Sequence, residues 1–439
     1  MRKFLTAFFC VICLNLSIFG AEFDKFLLAN KDNFWTMTSE EIQKALPHSF
    51  KYHSKDKTEL RYNMREVRNR LTVKKKFVIS EVLITFADKK IIELDISLFN
   101  RGDYRVGLKK DAEFVSECEK FVAELGGREL NNEKRKIEKT VIESKQFADS
   151  RNDYIYIIGS SNRGVEFINL KILPKGQAKP LKEMMKTHVV KLGNLALNLE
   201  HDDNGGIYLN VPMIDQGQKG YCVATTLERI LKYYNADVDQ HILAQIMQTE
   251  QQGTNMEVAL EVLDDNRAKL RIKTRELMKE EMFSKAQDFE KFTKKYNRIA
   301  KRNDREKVEF NDYVTRAGNR KSLNVGGLFA NYEYDIFREV RCESKLAVES
   351  FVRDVKKYIN RGYPLGWVTW VFQNEKPGQP IGGIGGHMRI INGINEEKQL
   401  IIYTDSYGAG HEKKEMSYED AFARTRYLIL IAPSAIRTE

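Results

Sequence analysis

Apolar positions along this chain follow a period near 3.6 in some stretches and a period of two in others, and the alternation sketches its elements. The stretch "FWTMTSEEIQKALP" predicts a capped helix, with Thr38 or Ser39 as N-cap, acids in the first turn and Pro47 as the stop. Next, "KFVISEVLITFADKKIIELDISLFN" predicts two strands around the turn "ADKK", and "DAEFVSECEKFVAELGG" an amphipathic helix closed by Gly126 and Gly127. A hairpin turning at Ser160 to Gly164 follows in "DYIYIIGSSNRGVEFINLKILP". Residues 33–175 therefore read as a small α+β domain with no cluster of His, Cys or carboxylates that would carry chemistry. Cys118 lies beside Phe114, Phe121 and Val122 on its helix, a core position.

Residues 176–204 read as a linker, and a second domain spans 205–435. Its first helix carries Val223, Leu227, Ile230, Leu231 and Tyr234 as one stripe, with Cys222 in its first turn. "DVDQHILAQIMQ" and "TNMEVALEVL" predict two more amphipathic helices, the first with His241 on a packing or surface face. A charged, largely helical insertion is expected over about 265–350, where Phe289, Phe292, Tyr296 and Ile299 form a core stripe. After Gly362 the runs "YPLGWVTWVF", "GHMRIINGI" and "QLIIYTDSYG" predict short strands of a twisted antiparallel sheet.

At 42% hydrophobic and 31% charged residues, the composition is that of a globular chain and excludes a disordered one. Residues 1–21, with Arg2 and Lys3 before an apolar run and small residues at its end, read as a signal peptide, so the protein is expected to be exported, periplasmic or extracellular. No second apolar span appears, and no stable membrane span is expected once the leader is removed. The net charge of +10 is scattered through mixed-sign stretches with no basic and aromatic motif, which argues against nucleic-acid binding. Beyond the leader only Cys118, Cys222 and Cys342 remain, too few for a disulfide scaffold. No Cys or His pair has zinc-ligand spacing, so no metal or other cofactor is expected.

One free thiol then needs an explanation, and "VPMIDQGQKGYCVATTLERILKYY" supplies it. Cys222 stands between a loop rich in glutamine and glycine and a helix N-terminus, where unpaired backbone N–H groups favour a thiolate. A nucleophilic cysteine needs a base, a group that orients the base, and donors for an oxyanion. His387 follows "GGIGG" at a strand and serves as the base, with His411 in "GAGHEKKE" as its rival. Asp405 ends the next strand, placed to accept Nδ1–H and leave Nε2 facing sulfur. Gln216, six residues before Cys222, is the oxyanion donor preferred over Gln218.

Gln216-Gly217, Gly220-x-Cys222 opening a helix, a later Gly-His387 strand and "DSYG" at 405–408 resemble the papain-like clan of cysteine peptidases. "VPMIDQGQKGYCVATTLERIL" and "GGHMRIINGI" are most similar to the stand-alone form of the peptidase domain that processes double-glycine leaders, over about 205–260 and 362–435. The resemblance implies an α+β papain-like domain, with Cys222 as nucleophile, His387 as base, Asp405 as orienter and Gln216 as oxyanion donor. It also implies a peptide or protein substrate. The expected activity is peptide-bond hydrolysis through a thioester, with the glycines from Gly382 to Gly386 and the Gly253-Thr254 loop bordering the cleft. Acyl transfer to an amine or thiol and a non-catalytic envelope-binding role are the competing readings.

Overall fold

The computed structural model describes residues 22–434, except 31, 47–49, 53–56, 64–70, 75–76, 102–110, 127, 138–139, 181–194, 218–219, 237, 239, 251, 271, 284, 318–319 and 409. The leader, the stop at Pro47 and Gln218 thus lie outside the described residues.

Local signals set the first elements. Thr38 accepts from the Glu41 N–H while the Glu41 carboxylate accepts from the Thr38 N–H, a reciprocal cap that starts the helix Ser39–Ala45. Asp88 and Lys89 both take positive φ, which closes a tight hairpin between Glu81–Ala87 and Lys90–Asn100. These strands belong to an eight-stranded antiparallel sheet ordered Lys51–Tyr52, Glu59–Asn63, Glu81–Ala87, Lys90–Asn100, Gly164–Pro174, Asn152–Ser161, Thr140–Ala148, Arg128–Ile137. The helix Asp111–Gly126 covers it, burying Phe114, Cys118, Phe121 and Val122 among the sheet's Ile, Leu and Tyr side chains.

A second sheet runs Leu199–His201, Ile207–Leu209, Ile384–Asn395, Leu365–Phe372, Thr425–Pro433, Ile272–Lys279, and Leu400–Thr404 with Lys414–Ser417 extends it from Ile384–Asn395. Two helices, Cys222–Tyr233 and Lys345–Ile359, share its core. The stripe Val223, Leu227, Ile230, Leu231 and Tyr234 is buried there, each large apolar side chain contributing about 1.5–3 kcal/mol. Trp367 is fully enclosed and donates its Nε1–H to Thr425 Oγ1 at 2.8 Å, so the indole is buried without an orphan donor. The architecture is α+β: helices segregate from antiparallel sheets.

The segment 265–350 is mainly helical among the described residues, with Ala286–Arg302, Val325–Ala330 and Tyr334–Arg341, and it also holds strands that the sequence did not suggest. These are Ile272–Lys279, an edge strand of the second sheet paired only with Thr425–Pro433 among the described residues, and the hairpin Val314–Ala317 with Arg320–Leu323. Charged side chains hide an edge strand because one of its sides faces solvent. The helix Ala286–Arg302 does present Phe289, Phe292, Tyr296 and Ile299 on one face, against Phe329, Tyr332 and Phe337 in a separate aromatic core. Arg341 and Arg424, both buried, fasten that core to the sheet: Arg341 donates to the Ala423 and Thr425 carbonyls, and Arg424 to Tyr334 Oη. Among the described residues no helix is long and apolar enough to cross a membrane.

Candidate active site

Cys222 is the first residue of its helix and is half-buried. Tyr221 takes the N-cap position without a side-chain cap, which leaves the first-turn donors available to a negative charge. The approach to this helix is tight: a Cβ on Gly220 would lie 2.3 Å from the Glu250 carbonyl oxygen and 2.5 Å from the Gly253 nitrogen. Both are backbone atoms, so only glycine fits, and the Gly253 loop lies against the loop that leads to Cys222.

His387 sits on the strand Ile384–Asn395, within reach of the Cys222 thiol. Its Nε2 lies 3.3 Å from Asp405 Oδ1, at ion-pair range but off the axis of a hydrogen bond, an alignment common in ligand-free sites. This reverses the expected orientation: Nε2 meets the carboxylate, and Nδ1 is the nitrogen left for sulfur. The register explains why. Thr404 pairs with Ile390, so Asp405 falls opposite Arg389, two residues along from His387, and only the far ring nitrogen spans that offset. Tyr407 stacks on the imidazole at 4.9 Å with rings 4° from parallel, its Oη 3.4 Å from Nδ1.

Sequence reasoning missed the company that Asp405 keeps. The carboxylate is buried, with Arg389 Nε 2.7 Å from Oδ1, Lys414 Nζ 2.8 Å from Oδ2 and the rival His411 Nδ1 4.0 Å from Oδ2. His411 therefore stands on the Asp405 side of the cluster, where burial and Lys414 push its pKa down. Arg389 was readable, since it is two residues from His387 on one strand and so shares its face. Arg229 was not. It lies two turns along the Cys222 helix and is fully buried, donating to Pro212 O at 2.8 Å, Asp405 O at 2.9 Å and Thr404 Oγ1 at 2.6 Å. Gln216 is buried in the preceding loop, where its backbone N–H donates to Ser406 O at 2.9 Å. The structure thus places Gln216 on the loop before the helix, Cys222 at the helix start, His387 within one strand and Asp405 just past the end of its neighbour.

Electrostatics follow from these contacts. Burial raises the Cys222 thiol, but the His387 hydrogen bond and charge, with backbone groups of Met388 and Val223, outweigh it and hold the pKa below an ordinary thiol. Burial lowers His387, while Asp405 and Cys222 raise it further, so the imidazolium is favoured. Burial also works against the Asp405 carboxylate, yet His387, Arg389 and Lys414 together keep it well below the usual carboxylate range. A depressed carboxylate pKa adds stability that is complete above the unfolded value of about 3.9 and is lost as pH falls through the folded one. Thermal melting against pH should therefore show the wild type losing stability below about pH 4, and Asp405→Asn losing less of it over that interval.

A protein-family model described as the Peptidase_C39 like family matches residues 208–431, more than half of the 439-residue chain. No curated protein matches the chain. The matched span contains Cys222, His387, Asp405 and Gln216 together with the whole helix that Cys222 opens and the strand that carries His387, and over that span the chain belongs to the Peptidase_C39 like family.

Proposed function

We propose that this chain is an exported cysteine peptidase that hydrolyses peptide bonds in a peptide or protein substrate through a thioester acyl-enzyme. One arrangement carries the reading: Cys222 opens its helix within reach of His387, whose Nε2 lies 3.3 Å from the buried Asp405 carboxylate, and of the three described thiols it alone is held below its ordinary pKa, His387 outweighing burial. Burial raises Cys118 far above an ordinary thiol and pushes Cys342 up to about 12, so both are inert near neutral pH.

The chemistry follows from the atoms. Cys222 sulfur attacks the scissile carbonyl carbon, and the oxyanion that forms is met by the Cys222 backbone N–H and the Gln216 amide. As the tetrahedral adduct collapses, the C–N bond breaks and His387 Nδ1–H protonates the departing amine, leaving a thioester. His387, now neutral, takes a proton from water, whose oxygen adds to the thioester carbonyl. Collapse of that second adduct releases the carboxylic acid and restores the Cys222 and His387 ion pair. Asp405 keeps the imidazole turned with Nδ1 toward sulfur, and the stacked Tyr407 shields one face of the ring from water. Removal of a leader at residues 1–21 would place this activity in the periplasm or outside the cell.

The same thioester can pass its acyl group to an amine, so the acceptor is the point to test. Peptide mixtures incubated with the protein in heavy-oxygen water, with and without a primary amine, are read by mass spectrometry. Hydrolysis predicts label in each new carboxyl group and an intermediate trapped on Cys222. Products that form only with the amine present would overturn the peptidase assignment in favour of acyl transfer.

A further inference from the structure

The family match begins at residue 208, yet the residue before the nucleophile is held by a side chain from outside it. Tyr221 is buried and donates its Oη–H to Asn100 Oδ1, while Asn100 Nδ2 donates to His241 Nδ1. The Tyr221 and His241 rings meet edge to face with centroids 5.7 Å apart. Asn100 is the last residue of the strand Lys90–Asn100 and is anchored there opposite Phe167 in the first sheet. It is 2% exposed, so its amide is committed to this junction rather than to solvent.

A further ion pair and a longer-range charge interaction link the first sheet to the same region. Arg61, buried beside Glu81, feels the charges of Asp215, next to Gln216, and of Glu228, on the nucleophile helix. Arg163 Nη1 lies 3.4 Å from Glu250 Oε1, and Glu250 belongs to the loop that abuts Gly220. The first sheet thus meets the start of the Cys222 helix at Asn100 and the loop beside it at Arg163.

We propose that Asn100 is a positioning residue for Cys222, fixing Tyr221 and through it the place of the nucleophile at the helix start. This rests on the Cys222 and His387 reading above. An asparagine amide suits the task because it accepts from a hydroxyl at one atom and donates to an imidazole at the other, so it sets both groups in one orientation. Without it Tyr221 loses that acceptor and the backbone carrying Cys222 is free to drift. Displacements on the scale of an ångström are enough to cost a reacting pair about 10²-fold.

The test is a double-mutant cycle in the full chain, read as the rate of Cys222 alkylation by iodoacetamide across pH. Asn100→Ala and Tyr221→Phe should each slow alkylation at about pH 6 by roughly 10-fold and move the inflection toward that of an ordinary thiol. The double variant should be no slower than either single one, because both remove one connection. Asn100→Asp keeps the acceptor for Tyr221 and should recover most of the rate. Folded Asn100→Ala or Tyr221→Phe protein that alkylates like the wild type would overturn the proposal, as would losses that multiply in the double variant. The controls separate this inference from the one beneath it: a wild-type profile unchanged by His387→Ala defeats the ion pair itself, whereas a His387-dependent profile indifferent to Asn100 defeats only the positioning role.

Discussion

Alanine in place of Cys222 or of His387 is expected to lower kcat/KM for peptide cleavage by roughly three to six orders of magnitude. The two losses should not add, since a thiol without its imidazole and an imidazole without its thiol both lack the reacting ion pair. Neither change should unfold the protein: Cys222 is half-buried at a helix end, and the apolar stripe that anchors the helix lies further along it. Steady-state kinetics with the best substrate found, alongside melting curves of both variants, separates a chemical loss from a folding defect. A Cys222→Ala protein that still cleaves would remove the nucleophile from the account.

The second large effect is expected at Arg229. Its guanidinium bonds the nucleophile helix to Pro212 on one side and to the Thr404 and Asp405 strand end on the other, in full burial. Burial lowers its pKa to about 10, still high enough to keep it charged at neutral pH. Arg229→Met removes those donors at once and leaves the Asp405 charge short of a nearby cation, so a stability loss of about 3–5 kcal/mol is expected. Arg229→Lys should recover only part of it, because a single ammonium cannot reproduce a fork that reaches three acceptors. Urea denaturation should show the midpoint falling at constant slope. A midpoint unchanged by Arg229→Met would mean that the fork does not hold the two halves of the site together.

The parts of this molecule that could be read from its sequence are those governed by local pattern. The Cys222 helix was legible from its apolar stripe, the helix Ser39–Ala45 from its capping residues and first-turn acids, and the three late strands from short apolar runs between turn residues. The charged hairpin Arg128–Ile137 with Thr140–Ala148 was not predicted, because at a sheet edge "RELNNEKRKIEK" keeps polar residues where an inner strand would alternate. The same physics concealed Ile272–Lys279.

Within the candidate site, the places of Cys222 at a helix start and of His387 on a glycine-flanked strand were legible from their sequence neighbours. The orientation of the imidazole depends on strand register, which spacing alone does not supply, and so its two nitrogens were assigned the wrong way round. Arg229 was hidden because an arginine on a helix ordinarily reads as a solvated charge, and only the folded packing makes it a buried clamp. Asn100 and Tyr221 are 121 residues apart, with no local pattern to join them.

The central claim is a thiolate and imidazolium pair between Cys222 and His387, and the rate of Cys222 alkylation by iodoacetamide from about pH 4 to 9, in the wild type and in His387→Ala, tests it most directly. Peptide mapping keeps Cys118 and Cys342 apart from the readout. The account predicts a wild-type inflection well below about 8.5 that moves up to the ordinary thiol range in His387→Ala. An inflection at the ordinary thiol value in both proteins would contradict it.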